Sequence, residues 1–465
     1  MAEPSPEGAV VDVPPLAEEL GARFADAGYE LHLVGGSVRD LVLDRRSPDL
    51  DFCTDARPPD VTKVLRGWAD RQYLVGVRFG TVGALKDGRL LEITTYRQEV
   101  YVEEHRKPSV TFGDDVQVDL SRRDFTINAM AIRVPGGMFV DPYGGIRDLG
   151  TRRLDTPLDP QVSFGDDPLR MLRAARFVAQ LGVTPAPRVT GAIEEMRDRL
   201  SIVSAERIRD ELDKLLMSER PSVGLQLLVD TGLSEGFLPE LAALQLEQDP
   251  VHHHKDVLRH TYAVVERCEP DPVLRLAALL HDIGKPATRQ FTPEGVTFHH
   301  HEVVGARMAR ARLQALRYPN QTVDDVGTLI ELHLRFHGYG EGWTDSAVRR
   351  YVRDAGPLLD KLNQLTRADV TTRNERKATR FERLQDHLEE RIAHLAEQEN
   401  LEQLRPPLDG RRVMEHLGLA PGPQVGEALA HLMELRIERG PVPEDEALAA
   451  LDAWAAERGL EPRDR

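Results

Sequence analysis

Two aspartates one residue apart, Asp49 and Asp51, are the pair in this chain whose spacing asks for chemistry. On a strand, residues i and i+2 project to the same side. Carboxylates so placed repel and raise each other's pKa unless a cation neutralises them. Hard oxygen donors that also meet triphosphate oxygens suit Mg2+. With two ions, one activates an attacking 3′-hydroxyl and the other neutralises a leaving pyrophosphate. The ordinary alternative is a polar turn near Pro48, which leaves the segment just upstream unexplained. That segment is Gly35-Gly36-Ser37-Val38-Arg39-Asp40. Its glycines let backbone approach a triphosphate closely. A helix start offers amides to phosphate oxygens, and Arg39 can hold a phosphate with two hydrogen bonds. Taken alone, this segment reads as a strand-to-helix turn. Glu92, in Leu91-Glu92-Ile93-Thr94, is either a third acid on the same sheet or a solvent-facing strand residue, and the sequence leaves the two readings even.

The elements that must position these groups are mixed. Leu31 to Val34 is an apolar run ending in the two glycines, and Leu50–Cys53, Val82–Leu85, Leu90–Thr94 and Ala129–Val134 also read as strands. From Asp167 onward the pattern is helical, with Asp167 as a cap and Pro168 at the first helical position. Pro/Gly segments near 232–239, 249–254 and 405–410 interrupt it. The expected fold is α+β: a small head with a mixed sheet and helices, then an all-helical neck, body and tail. The boundaries are a disordered tail over 1–14, a head over 15–160, a neck over 161–235, a body over 236–395 and a tail over 396–465.

Composition narrows the classes. The 465 residues are 41% hydrophobic and 29% charged, as in an ordinary soluble protein. No apolar run approaches the about 20 residues that span a bilayer, and the first residues lack the basic start and apolar stretch of a signal peptide. Cys53 and Cys268 suggest neither a disulfide scaffold nor a thiolate site, and the expected compartment is the cytoplasm. A net charge of −17 argues against a broadly adhesive nucleic-acid binder. Arg373, Arg376, Lys377, Arg380 and Arg383 would form one basic helix face, but with Glu375 and Glu382 among them a solvated face is the preferred reading.

The ordered motifs carry a resemblance. The run from Leu33 through Gly35-Gly36-Ser37-Val38-Arg39-Asp40 to Asp49-Leu50-Asp51-Phe52 resembles polymerase-beta-type nucleotidyltransferases, more narrowly class II transfer-RNA nucleotidyltransferases (CCA-adding enzymes) and bacterial poly(A) polymerases. Asp119-Leu-Ser-Arg122-Arg123-Asp124-Phe-Thr-Ile-Asn128-Ala129-Met130, Asp141–Leu149, Gly165-Asp166-Asp167-Pro168-Leu169-Arg170 through Phe177, and Ser204–Leu212 match in the same order, covering roughly residues 30 to 216. Weaker similarity reaches Leu408–Met414 and Gly418–Gly422. Two positions depart: Asp44 stands where the family often has Gly, and Asp166 replaces a Glu.

The resemblance implies that Asp167 and Arg170 read the incoming base, with Arg173 and Arg176 assisting and Arg123 reaching the triphosphate. Cytosine and adenine both offer an amine beside a ring-nitrogen acceptor, which a carboxylate and a guanidinium complement. Uracil and guanine present the reverse, and each unpaired group costs about 1–3 kcal/mol. Arg97 to Val118, with Tyr101, Arg106, Lys107 and Pro108, resembles the mobile loop of enzymes that add all three nucleotides. Further on, His260, His281-Asp282 and Asp369 resemble an HD-type phosphohydrolase domain, the run Leu276–Pro286 most specifically. Such nitrogen and oxygen donors suit a second divalent transition metal, and His301 and His333 are further candidate ligands; His252-His253-His254 is unassigned. The implied activity is CCA addition to tRNA from CTP and ATP with Mg2+ at Asp49 and Asp51, and no membrane partner. The rivals are a poly(A) polymerase, an HD phosphohydrolase with a nucleotide-binding head, and a non-catalytic RNA-binding protein.

Overall fold

The computed structural model describes residues 11–45, 49–99, 110–246, 256–293, 295–371, 375–399 and 405–460. The first ten residues of the expected tail, the turn at Pro48, the loop residues Tyr101, Arg106, Lys107 and Pro108, the His252–His254 run and Arg373 lie outside them. The chain divides into two compact units, Met1–Pro239 and Glu240–Arg465.

In the first unit, α1 (Pro15–Asp26) leads into β1 (Leu31–Val34), whose four residues are all buried. Then come α2 (Gly36–Val42), β2 (Leu50–Thr54), α3 (Pro58–Leu65), β3 (Arg71–Tyr73), β4 (Thr81–Lys86) and β5 (Arg89–Thr95). A side hairpin of β6 (Arg97–Glu99) and β7 (Val110–Phe112), with α4 (Val116–Ser121), precedes β8 (Ala131–Val134) and β9 (Met138–Val140). The main sheet has seven strands in the order β3-β4-β5-β2-β1-β8-β9. Only β2 and β5 run parallel among its neighbours. Phe52, Ile93, Leu91, Val82 and Ala84 bury one face of this sheet in the head core. By the two-residue period, Asp51, Glu92 and Gly83 face the other way.

Four expected strands match within a residue at each end; the fifth does not. The expected start at Ala129 moves to Ala131, because Thr126–Asn128 form a 3-10 turn whose Asn128 bridges two charged side chains described below. Asp44 adopts φ +54. This is the left-handed conformation that glycine takes freely and aspartate takes at modest cost, so the residue that departs from the family pattern keeps a glycine-like turn.

Helices α5 (Gly145–Gly150), α6 (Pro160–Asp166), α7 (Leu169–Leu181), α8 (Pro187–Met196), α9 (Ala205–Leu216) and α10 (Pro221–Asp230) complete this unit. Helix begins earlier than Asp167, with α6. The expected cap is present one residue displaced: Asp167 Oδ1 accepts the Leu169 N–H at 3.2 Å, and α7 starts at Leu169 rather than Pro168.

From α11 (Pro239–Ala242) onward helices dominate: α12 (Val257–Arg267), α13 (Pro272–Leu280), α14 (Lys285–Thr288), α15 (His301–Ala315), α16 (Asn320–Leu332), α17 (Asp345–Ala355) and α18 (Leu359–Asp369). The long α19 (Glu375–Glu399) and α20 (Gly410–Leu417), α21 (Pro423–Arg439) and α22 (Glu444–Glu457) follow. Neck and body are not all helical as expected. A two-residue parallel bridge joins Arg153–Leu154 to Thr184–Pro185. A hairpin pairs Gln290–Thr292 with Gly295–Thr297, where β-branched Thr292, Val296 and Thr297 flank a turn that begins at Pro293. Among the described residues no helix is long and apolar enough to cross a membrane.

The head core depends on large side chains between the sheet and α1, and Phe52 is 1% exposed among them. Phe52→Ala is expected to cost about 3–5 kcal/mol, measured as a lowered urea midpoint of unfolding with an unchanged m-value.

Candidate active site and candidate metal centre

Asp51 lies directly opposite Glu92 across the parallel β2–β5 pair. Burial first and Glu92 second push the Asp51 carboxyl above its ordinary value; Arg123 and Arg39 pull against this and Asp49 adds to it. Asp49 stands on the exposed bend immediately before β2. Three carboxylates thus converge where their charges oppose one another, and the donors are all oxygen. That set fits a hard divalent ion such as Mg2+. Glu92 is exposed on the sheet face that it shares with Asp51.

Ser37 has a role that its sequence position did not disclose. Its hydroxyl donates to the Asp49 carbonyl at 3.3 Å and accepts the Asp51 N–H at 3.0 Å. It therefore fastens the entry of β2 to the diglycine turn. Gly35 has φ +68, which a side chain would strain. A Cβ there would lie 2.8 Å from an Arg123 guanidinium nitrogen and 4.0 Å from Asp51 Oδ2. The missing side chain lets a cation stand over the turn beside the acid. Arg123 is itself held by Asp119 at 3.3 Å.

Arg39 pairs with Asp40 at 2.7 Å and donates to Asn128 Oδ1 at 2.8 Å. The Asn128 amide donates to Asp124 Oδ1 at 3.0 Å. Asp124 Oδ2 accepts from Arg173 Nε at 2.9 Å and Nη2 at 2.6 Å. Arg173 then approaches Glu211 of α9 at 3.7 Å, and Arg176 Nε lies 2.8 Å from the same carboxylate. Arg39 and the α7 arginines are thus joined through Asn128, Asp124 and Glu211. Arg173 and Arg176 are engaged by carboxylates rather than projecting freely. Asn128, Asp124 and Glu211 close this chain without having been singled out; the available signal was charged residues inside apolar motifs, which require partners when buried.

The two residues expected to read a base have separate partners. Asp167 Oδ2 accepts from Arg207 Nη2 at 2.7 Å. Arg170 donates to the Ser163 hydroxyl at 2.8 Å and to the Arg122 carbonyl at 2.6 Å. Arg207, four residues ahead of Glu211 on α9, is a second neck residue that meets this helix.

In the second unit, α12, α13, α15, α16 and α18 bring the HD residues together. His260, His281 and Asp369 form one potential ligand triad, and Asp282, His301 and His333 a second, with ligand atoms in each triad within 4.8 Å of one another. His260 Nε2 is 2.9 Å from Asp369 Oδ1, and His281 Nε2 is 3.2 Å from Asp282 Oδ2. The outer nitrogens are committed elsewhere. Nδ1–H groups of His281 and His301 donate to the Ala278 and Phe298 carbonyls, both at 2.8 Å, and His333 uses the Ile330 carbonyl. The Nε2 atoms therefore face inward, the orientation that metal-binding imidazoles adopt; against burial, Asp282 and Asp369 raise His281 to about 10, so without a metal its Nε2 holds a proton between them. The Nε2 atoms of His301 and His333 are buried with no hydrogen-bond partner. Burial, then His281, push His333 down to about 4, so its ring is neutral. Burial would raise Asp282, but His281 and Lys285 hold it well below the usual range. A neutral His333, ionised Asp282 and inward nitrogens orphaned at His301 and His333 fit a divalent transition metal. His301 and His333 join the expected quartet; Lys285, 2.7 Å from Asp282, and His337, 3.7 Å from Asp369, were missed.

Comparison with known proteins agrees with this geometry. The family described as "Poly A polymerase head domain" matches residues 31–155. "Probable RNA and SrmB- binding site of polymerase A" matches 182–245, and the HD domain matches 252–398. An A-adding tRNA nucleotidyltransferase of Deinococcus radiodurans is 34% identical over 441 residues, 91% of this chain and 95% of the relative. A CCA-adding enzyme of Geobacillus stearothermophilus is 34% identical over 320 residues, 68% of this chain and 70% of the relative. The crystal structure of the Bacillus stearothermophilus CCA-adding enzyme in complex with CTP superposes with a TM-score of 0.70 at 26% identity, covering 96% of this chain and 99% of that one.

The Asp124–Arg173 pair yields a pH prediction. Burial opposes ionisation of Asp124, yet Arg173 and Asn128 bring it down to about 2 from 3.8. A depressed folded-state value stabilises the fold above the unfolded value and is lost as pH falls through the folded one. Asp124→Asn is expected to lower stability by about 2 kcal/mol at pH 7. In urea titrations that deficit should shrink as pH falls from about 4 toward 2.

Proposed function

This chain belongs to the tRNA nucleotidyltransferase and poly(A) polymerase family, and from that premise we propose that it adds CCA to the 3′ end of tRNA from CTP and ATP, without a template and with release of pyrophosphate. The observation that carries the reading is the apposition of Asp51 and Glu92 beside a diglycine turn overhung by Arg123. Asp49, Asp51 and Glu92 hold Mg2+, which supplies charge neutralisation at the triphosphate when bound. Gly35 and Gly36 leave room for phosphate oxygens, and Arg39 and Arg123 bind them. Asp167 accepts the exocyclic amine of cytosine or adenine, and Arg170 donates to the ring nitrogen. For that, Arg170 exchanges its bonds to Ser163 and Arg122 for the base. Arg173 and Arg176, braced by Asp124 and Glu211, hold the helix that presents both. The helical body and tail grip the acceptor arm and elbow of the tRNA, and the work belongs to the cytoplasm.

A narrower reading, addition of the terminal A alone, is supported by the near full-length similarity to the Deinococcus enzyme. A second activity is supported by the paired ligand triads of the HD body: metal-dependent removal of phosphate from RNA 3′ ends. His260, His281, Asp282 and Asp369 are the ligands in that reading, joined by His301 and His333.

The decisive assay supplies tRNA ending before, within or one residue short of CCA, with Mg2+ and each labelled triphosphate, and sizes the products. Extension of all three to a common CCA end is the expected outcome. Extension of only the CC-ended substrate selects A addition, and a long adenosine ladder selects poly(A) synthesis. Asp51→Ala is expected to abolish incorporation while tRNA binding persists. Phosphate release from RNA ends is expected to survive Asp51→Ala and to be lost on Asp282→Ala.

A further inference from the structure

The register of the main sheet aligns four residues in a row on its open face. Asp51 pairs with Glu92, Glu92 with Gly83, and Gly83 with Tyr73. Directly paired residues share a face, and the neighbours Phe52, Ile93, Val82 and Ala84 bury the opposite one. The two acids are thus followed by a bare glycine floor and a tyrosine. A Cβ at Gly83 would lie 3.2 Å from Tyr73 Cβ and 3.6 Å from Cδ2, so the ring leans over the glycine. At about 4.8 Å per strand, Tyr73 lies about 10 Å from Glu92 and about 14 Å from Asp51. Tyr73 is 38% exposed, and Arg71, two residues earlier on the same face, is also exposed.

Sheet order gives this row a direction. The triphosphate residues Gly35, Gly36 and Arg39 follow β1, on one flank of β2. Glu92, Gly83 and Tyr73 extend along β5, β4 and β3 on the other flank. In-line transfer requires the attacking and leaving oxygens on opposite sides of the reacting phosphorus. If pyrophosphate departs on the β1 side, the attacking hydroxyl arrives from the β3 side. A ring over an open floor at that distance, with a cation beside it, suits an unpaired base and its phosphate.

We propose that Tyr73 is the stacking platform for the 3′-terminal nucleotide of the RNA acceptor, seated over Gly83 with its 3′-hydroxyl directed toward Glu92 and Asp51, and that Arg71 holds the preceding phosphate. The proposal rests on the transferase reading but makes a separate demand: the acceptor end, not the incoming triphosphate, contacts β3.

The test places 2-aminopurine at the 3′ terminus of a tRNA lacking its last nucleotide and follows its fluorescence on binding to the full chain without triphosphate. Stacking is expected to quench it with the wild-type protein and with Tyr73→Phe, and to fail with Tyr73→Ala. In incorporation assays Tyr73→Ala is expected to raise KM for tRNA about tenfold, with KM for the triphosphate unchanged. Equal quenching in Tyr73→Ala, or a Tyr73→Phe protein that behaves like the alanine variant, overturns the platform. Wild-type protein that quenches the probe but incorporates nothing would sink the transferase reading and leave the platform standing.

Discussion

Like charge held at close range is the constraint around which the head is organised. Asp51 and Glu92 occupy opposed positions on parallel strands, and Asp49 stands just outside. Such an arrangement raises the energy of the bare fold, and burial of Asp51 adds to it. The fold tolerates it because the opposite face of the same strands is packed with Phe52, Ile93, Leu91, Val82 and Ala84. Apolar burial there offsets the repulsion and leaves the acids free to bind cations rather than one another's protons.

The same acids require positive charge that does not collapse onto them. Arg123 approaches only because Gly35 lacks a side chain, and Asp119 restrains it. Arg39 is held away by Asp40 and Asn128. From Asn128 the alternation runs through Asp124 and Arg173 to Glu211, joining the diglycine turn to α7 and α9 within the first unit. Buried ion pairs contribute little net stability but are costly to break singly. A chain of them fixes α7, through Arg173, relative to the diglycine turn and to α9.

The second unit uses another donor chemistry. Where the head offers oxygen alone, the HD centre offers imidazole nitrogens oriented by backbone carbonyls, with Asp282 and Asp369 among them. Oxygen sets suit ions that stay hydrated and exchange with triphosphate; imidazole sets suit a resident transition metal.

The paired aspartates, the diglycine turn and the position of β1 were legible in the sequence because each depends on neighbours in the chain; the HD residues, spread from His260 to Asp369, were legible only through the motif they resemble. Strand period places Asp51 on an open face, and local φ requirements place Gly35. Ala129 and Met130 appeared to open the last strand, and the 3-10 turn just before them, with Asn128 held by Arg39 from far away in sequence, delays it to Ala131. Ser37, Glu211 and Arg207 lay within the matched runs with no role of their own, because their partners lie on other elements. The row from Asp51 through Glu92 and Gly83 to Tyr73 exists only in the register of four strands drawn from separate segments. Local preference and hydrophobic period set which elements form. Which side chains meet across them is decided by packing and register, and that is a property of the folded chain alone.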